Sequence, residues 1–159
     1  MKTSKILFPT DLSDRSNAAL NVATAIAKQL NAKLVIVHVE EPPDIYAQRS
    51  CWAIEPTRED LQKMLREVVP DDPEVAFDHR LVAARPVDGI VELAQRERAT
   101  MIVMTTHGRT GIARVILGSV AEGVLRHSPC PVLTVKESDI RLQARCAASH
   151  TDRALMHGH

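Results

Sequence analysis

The sequence lacks net charge and long apolar runs, and each absence removes a class of protein. Twenty Lys and Arg residues balance twenty Asp and Glu residues, so no overall field would collect nucleic acid or anionic lipid. No run of about 18 consecutive apolar residues is present, which argues against a membrane-spanning helix. The sequence therefore predicts a soluble protein that binds neither nucleic acid nor a membrane.

A disulfide framework is also missing. Cys51, Cys130 and Cys146 are odd in number and widely spaced, and no two of them form a C-x-x-C pair. The N-terminus shows no signal-peptide pattern, and cysteine usage of this kind favours free thiols in a reducing compartment. We therefore expect a cytoplasmic protein.

What is present is the pattern of one α/β domain. The 159 residues are 45% hydrophobic and 25% charged, which is ordinary globular composition. Short β-branched runs alternate with amphipathic helical stretches, as in an open parallel sheet covered by helices on both faces. Strands are predicted at 6–9, 34–39, 75–83, 101–104 and 132–135, the third of them at a sheet edge.

The predicted helices have recognisable starts and buried stripes. Ser13 is a candidate N-cap of the first helix, and Thr57 with Asp60 resembles a capping box at the start of the second. Pro86 and Ser119 are the predicted starts of the third and fourth. The stripe of the first helix is expected to face the sheet and comprises Ala19, Val22, Ala23, Ile26 and Leu30.

Two loops after strand ends are candidate sites, because ligands of open parallel sheets bind outside the carboxyl ends of the strands. One has the sequence F-P-T-D-L-S at 8–13, and the other begins T-T-H-G-R-T-G at 105–111 and leads to G-S-V-A at 118–121. Backbone N–H groups at a helix start such as Gly118-Ser119 favour an anion, and phosphate is the natural one. These residues are equally compatible with plain turns and helix caps.

Two familiar nucleotide motifs are absent: neither G-x-G-x-x-G nor the P-loop pattern occurs. The second loop nevertheless resembles the universal stress protein family in T-H-G-R-T-G followed by L-G-S-V-A-E-G-V-L-R-H-S-P-C-P-V-L. F-P-T-D-L-S and V-H-V extend the resemblance over residues 4–136. We therefore assign 1–136 to a universal stress protein-like domain and 137–159 to a C-terminal tail.

The resemblance implies a Rossmann-like sheet of five parallel strands in the order 3-2-1-4-5, in a homodimer formed through the last strand, Val132 to Val135. It also implies ATP as ligand, with Mg or Mn as candidate accompanying ions. Asp11 and Val39 would face adenine, and residues near Thr105 and His107 would face the ribose. The full predicted site comprises Pro9, Thr10, Asp11, Val39, Met104, Thr105, His107, Gly108, Arg109, Gly118, Ser119, Val120 and Ala121.

The ATP-binding branch of the family resembles the pattern G-x2-G-x9-G-S/T, and here Thr105 replaces the first glycine. A β-branched residue in a glycine-only conformation would cost about 1 to 3 kcal/mol and weaken nucleotide binding. A threonine hydroxyl could instead supply a contact to the ribose.

Three hypotheses for function follow. The first is an ATP-binding, dimeric stress-response protein whose nucleotide alters its surface for an unknown protein partner. The second is a nucleotide-free interaction dimer of the same fold that uses the 41–56 loop and the tail. The third is an enzyme that acts on ATP, against which no P-loop lysine or obvious water-activating carboxylate is present, so at most slow hydrolysis is expected. No catalytic or metal-binding residue is predicted.

Overall fold

A five-stranded parallel sheet organises the chain in the computed structural model, which describes residues 4–42, 56–106 and 117–136. Its strand order is β3-β2-β1-β4-β5, which confirms the predicted order and the α/β fold class. The strands are β1 (Lys5–Pro9), β2 (Lys33–Glu40), β3 (Phe77–Ala83), β4 (Met101–Thr105) and β5 (Val132–Val135). The helices are α1 (Asp14–Gln29), α2 (Arg58–Glu67), α3 (Pro86–Glu97) and α4 (Ser119–His127).

Helices cover both faces of the sheet and create two apolar cores. One core joins α1 and α2 to the side chains of Ile6, Phe8 and Ile36. The other joins α3 and α4 to Leu7 and to the alternate residues of the neighbouring strands. Because successive strand residues point to opposite faces, the buried part of a central strand must be apolar at consecutive positions, and Ile6, Leu7 and Phe8 of β1 meet this requirement.

Most predicted helix features are confirmed, with two corrections at α1. Thr57 and Asp60 form a complete capping box at the start of α2. Ser13 occupies the N-cap position of α1 but makes no side-chain cap bond, and its hydroxyl donates to Asp11 Oδ1. Leu30 was predicted to face the sheet, yet it is 52% exposed because α1 ends at Gln29 and Leu30 is its C-cap.

Ion pairs stabilise the amino-terminal ends of the strands, opposite the carboxyl ends. Lys5, the first residue of β1, pairs with Glu97 at 2.6 Å, and Lys33, the first of β2, pairs with Asp78 at 2.7 Å. The hydrogen bond from Lys5 holds the pKa of Glu97 below its usual value, and Lys33 does the same for Asp78. These carboxylates therefore serve as partners of lysines and are poor candidates for ligand binding.

Within the three described ranges, no helix is both long enough and apolar enough to span a bilayer.

Candidate functional site

The carboxyl ends of β1 and β4 form the switch point of the sheet. β2 and β3 lie on one side of β1, while β4 and β5 lie on the other. The helix after β1 packs in the first core and the helix after β4 packs in the second, so the two chain segments leave toward opposite faces. Ligands of open α/β sheets bind where segments diverge in this way.

The loop after β1 is held by a compact set of hydrogen bonds. Thr10 is 6% exposed, and its Oγ1 accepts a hydrogen bond from the Leu12 N–H at 3.0 Å. Thr10 Oγ1 also lies 2.9 Å from Ser16 Oγ. Because the Ser16 hydroxyl donates its one proton to the Ser13 carbonyl at 2.7 Å, Thr10 must be the donor in the pair. These local hydrogen bonds thus fix the conformation of the loop before any ligand binds.

Leu12 has an unusual backbone conformation in this loop. Its φ angle of 62° places it in the left-handed region, which branched and bulky residues seldom adopt. Its side chain packs against the first core, and its N–H is held by Thr10. Such strain persists only where surrounding contacts enforce it, and it concentrates at functional sites.

Asp11 presents an unusual carboxylate. Its Oδ1 accepts hydrogen bonds from the Ser13 N–H at 3.0 Å and the Ser13 hydroxyl at 2.6 Å. Its Oδ2 is buried, and no hydrogen-bond partner for it was found in the part of the chain that the structure describes. A buried polar atom without a partner costs about 1–3 kcal/mol, so this oxygen is well suited to accept from a ligand.

The start of α4 supplies donors. Thr106 links it to the sheet, since the Thr106 N–H donates to Val135 O at 3.1 Å and its carbonyl accepts from the Gly118 N–H at 2.7 Å. Gly118 is the N-cap and provides no side-chain cap. Across the described ranges, the N–H groups of Ser119, Val120 and Ala121 have no acceptor, since intrahelical bonding begins with Glu122.

The other predicted residues divide by the way their side chains pack. Met104 and Ala121 are 5% and 2% exposed and belong to the second core, so Ala121 can offer a ligand only its backbone. Thr105 is the last residue of β4, with extended backbone paired to Val135. Val39 is half-buried, and its methyl groups lie against Gly89 of α3, 3.0 Å from where a Cβ on that glycine would stand.

His107, Gly108 and Arg109 lie outside the described residues, as do most of the 41–56 loop and the predicted tail. Within the described residues, no group of three or more His, Cys, Asp or Glu side chains could hold a metal ion.

Sequence reasoning missed two contributors to the loop. Ser16 is 2% exposed and bridges Thr10 to Ser13, a role that its spacing three residues after the N-cap could have suggested. His38 is half-buried, and its Nδ1 lies 2.8 Å from the Thr10 carbonyl oxygen, a long-range contact with no local signal.

The fold is that of an α/β protein whose parallel sheet is covered by helices on both faces. The polar groups at its switch point form a site suited to an anionic ligand. The model of the universal stress protein family matches residues 2–136. The chain belongs to the universal stress protein family.

Known proteins resemble the chain over most of its length. Universal stress protein MJ0531 of Methanocaldococcus jannaschii is 35% identical over 139 residues, which cover 84% of this chain and 82% of the relative. A solved universal stress protein in complex with cAMP is 30% identical with a TM-score of 0.62, covering 86% of this chain and 99% of the other. The structure of protein MJ0577 from M. jannaschii is 26% identical with a TM-score of 0.66, covering 86% and 97%.

Proposed function

We propose that this chain is an ATP-binding universal stress protein, in which adenine nucleotide bound at the switch point regulates a stress response. The observation that carries the proposal is the buried Asp11 Oδ2, at the carboxyl end of the central strand, for which the described ranges provide no hydrogen-bond partner. A similar protein of the same family was solved with cAMP, an adenine nucleotide, which supports the choice of ligand class.

The chemistry of Asp11 suits adenine if its carboxylate faces the 6-position of the base. An ionised carboxylate only accepts hydrogen bonds, so it requires a donor on the ligand. The 6-amino group of adenine is such a donor. At the same position guanine and hypoxanthine carry a 6-oxo group, which is an acceptor and would be repelled by a carboxylate facing it. Asp11 would thus recognise the base, and Pro9, Thr10 and Val39 would line the part of the site that holds the base.

The start of α4 suits the phosphates. Three N–H groups that have no acceptor among the described residues, at Ser119, Val120 and Ala121, combine with the positive end of the helix dipole. In this proposal Gly118 allows close approach, and the predicted residues His107, Gly108 and Arg109 complete the phosphate and ribose contacts. Mg or Mn would accompany the phosphates.

Thr105 does not oppose this assignment through its backbone. It lies in β4 in extended conformation, and the positive-φ residues of the described chain are Leu12, Asn31 and Arg98. The strain expected of a threonine in a glycine-only conformation therefore does not arise. What remains is the bulk of its side chain, which we expect to weaken nucleotide binding modestly rather than prevent it.

Nucleotide carried by the protein tests the proposal directly. Protein purified from the cytoplasm and then denatured is expected to release adenine nucleotide, and the emptied protein is expected to bind ATP with Mg saturably in calorimetry. Steady formation of ADP in proportion to protein would instead indicate an enzyme. A protein that carries no nucleotide and ignores added ATP would contradict the proposal and favour a nucleotide-free interaction dimer.

The homodimer is expected to form through β5. Its four residues, Val132 to Val135, carry no charge, and Leu133 is 37% exposed, whereas the opposite edge strand β3 carries Asp78 and Arg80. Charged residues on an edge strand discourage pairing, so β5 suits pairing with a second copy better than β3 does. Light scattering is expected to give twice the chain mass of 17.5 kDa, and Leu133→Lys to shift it to the monomer. A wild-type monomer at micromolar concentration would contradict this assembly.

A further inference from the structure

His38 stands at the carboxyl end of β2, one strand away from Asp11. It is half-buried, and its Nδ1 lies 2.8 Å from the Thr10 carbonyl oxygen. Because a carbonyl oxygen only accepts, the proton of this contact must reside on Nδ1 of the imidazole. The hydrogen bond therefore runs from the His38 ring to the backbone of the loop that contains Asp11.

This contact extends the attachment of the loop to β2 beyond the paired residues of β1 and β2. The paired register of β1 and β2 ends at Pro9 and Val37, and the Thr10 N–H donates to the Val37 carbonyl at 2.9 Å. The Thr10 carbonyl is then held by the side chain of His38. Both backbone polar groups of Thr10 are thus bound to β2, which leaves this residue little freedom to rotate.

A chain of hydrogen bonds connects Thr10 to the Asp11 carboxylate. Thr10 Oγ1 holds the Leu12 N–H at 3.0 Å and donates to Ser16, which in turn fixes the Ser13 carbonyl. Ser13 directs both of its donors to Asp11 Oδ1. The strained φ of 62° at Leu12 persists only while these contacts hold, so a loosened Thr10 would let the turn relax.

We propose that His38 is a positioning residue for base recognition, which acts through Thr10 to keep Asp11 Oδ2 fixed toward the ligand. The inference rests on the proposed function for the ligand, but the ordering of the loop by His38 does not depend on any ligand. Loss of the imidazole donor releases Thr10, relaxes Leu12 and allows the Asp11 carboxylate to turn.

Two variants separate the donor from the ring. His38→Phe keeps a planar ring without a donor, whereas His38→Asn keeps a side-chain N–H near the position of Nδ1. We expect His38→Phe to weaken ATP binding by up to about 5-fold, because the released loop must be ordered again on binding at a cost no greater than one neutral hydrogen bond, and to reduce the preference for ATP over ITP. His38→Asn is expected to retain most of both.

Amide hydrogen exchange at Leu12 and Ser13, measured without ligand, provides an independent readout. Faster exchange at both amides in His38→Phe, with near-wild-type rates in His38→Asn, is the expected result. If His38 merely packs, both variants will shift the thermal midpoint while exchange rates and the ATP to ITP ratio stay unchanged, which overturns the inference. Absence of ATP binding in the wild type would refute the proposed function, and the exchange rates would still decide whether His38 holds the loop.

Discussion

Replacing Asp11 with asparagine is expected to shift the base preference of the protein from ATP toward ITP. The amide oxygen can still accept from Ser13, while the NH2 group takes the place of Oδ2 and becomes a donor. A donor facing the 6-amino group of adenine repels it, but it pairs with the 6-oxo group of hypoxanthine. Since a hydrogen bond to a charged group contributes about 1.5–3 kcal/mol, ATP affinity should fall about 10- to 150-fold.

Calorimetric titration of both nucleotides into Asp11→Asn and Asp14→Asn measures this shift. Asp14 is exposed in the first turn of α1, so its replacement removes the same charge close by without touching the loop bonds. The thermal midpoint of each variant reports on folding. Equal ATP affinity in the two variants would show that Asp11 does not contact the base.

Ser119→Pro is expected to reduce affinity for ATP by about 10-fold or more while leaving affinity for adenosine nearly unchanged. Proline has no N–H, so the change removes one donor from the proposed phosphate site. The cost to folding should be small, because proline is favoured at the first position of a helix. The expected loss corresponds to one charge-assisted hydrogen bond.

The chain itself shows that proline fits this position. Pro86 begins α3 after Arg85, whose φ and ψ are −68° and 139°, and Gly118 before α4 has nearly the same values of −70° and 154°. Ser119→Ala, which keeps the N–H and removes only the hydroxyl, is the matched control. If Ser119→Pro and Ser119→Ala bind ATP equally well, the start of α4 does not hold the phosphates.

The two variants thus change different atoms, so the base preference and the phosphate contacts are tested separately. Asp11 and the start of α4 belong to segments on opposite faces of the sheet, and each can be changed without altering the other. Loss of the base preference in Asp11→Asn, together with loss of the phosphate contribution to affinity in Ser119→Pro, would locate both ends of the nucleotide. This separation makes the proposed binding mode, and not just binding itself, open to experiment.

Secondary structure could be predicted where its signals lie in residues that are adjacent in sequence. The apolar run of β2 and the capping box at Thr57 and Asp60 were predicted and confirmed, because each depends on residues adjacent in sequence. The error at Leu30 has a local cause as well: its spacing fits the stripe of α1, but the helix stops one residue before it. Spacing alone does not indicate where a helix ends.

The amino-acid sequence by itself determined the family, the parallel α/β fold and the two loops at the strand ends, because these follow from motifs and from hydrophobic periods of two and 3.6. Only the tertiary structure decided that Asp11 Oδ2 is buried without a partner among the described residues and that Leu12 is left-handed. It also decided that His38, 28 residues from Thr10, holds the loop. Such features arise from contacts between residues distant in the chain, which exist only once the sheet has brought its strands together.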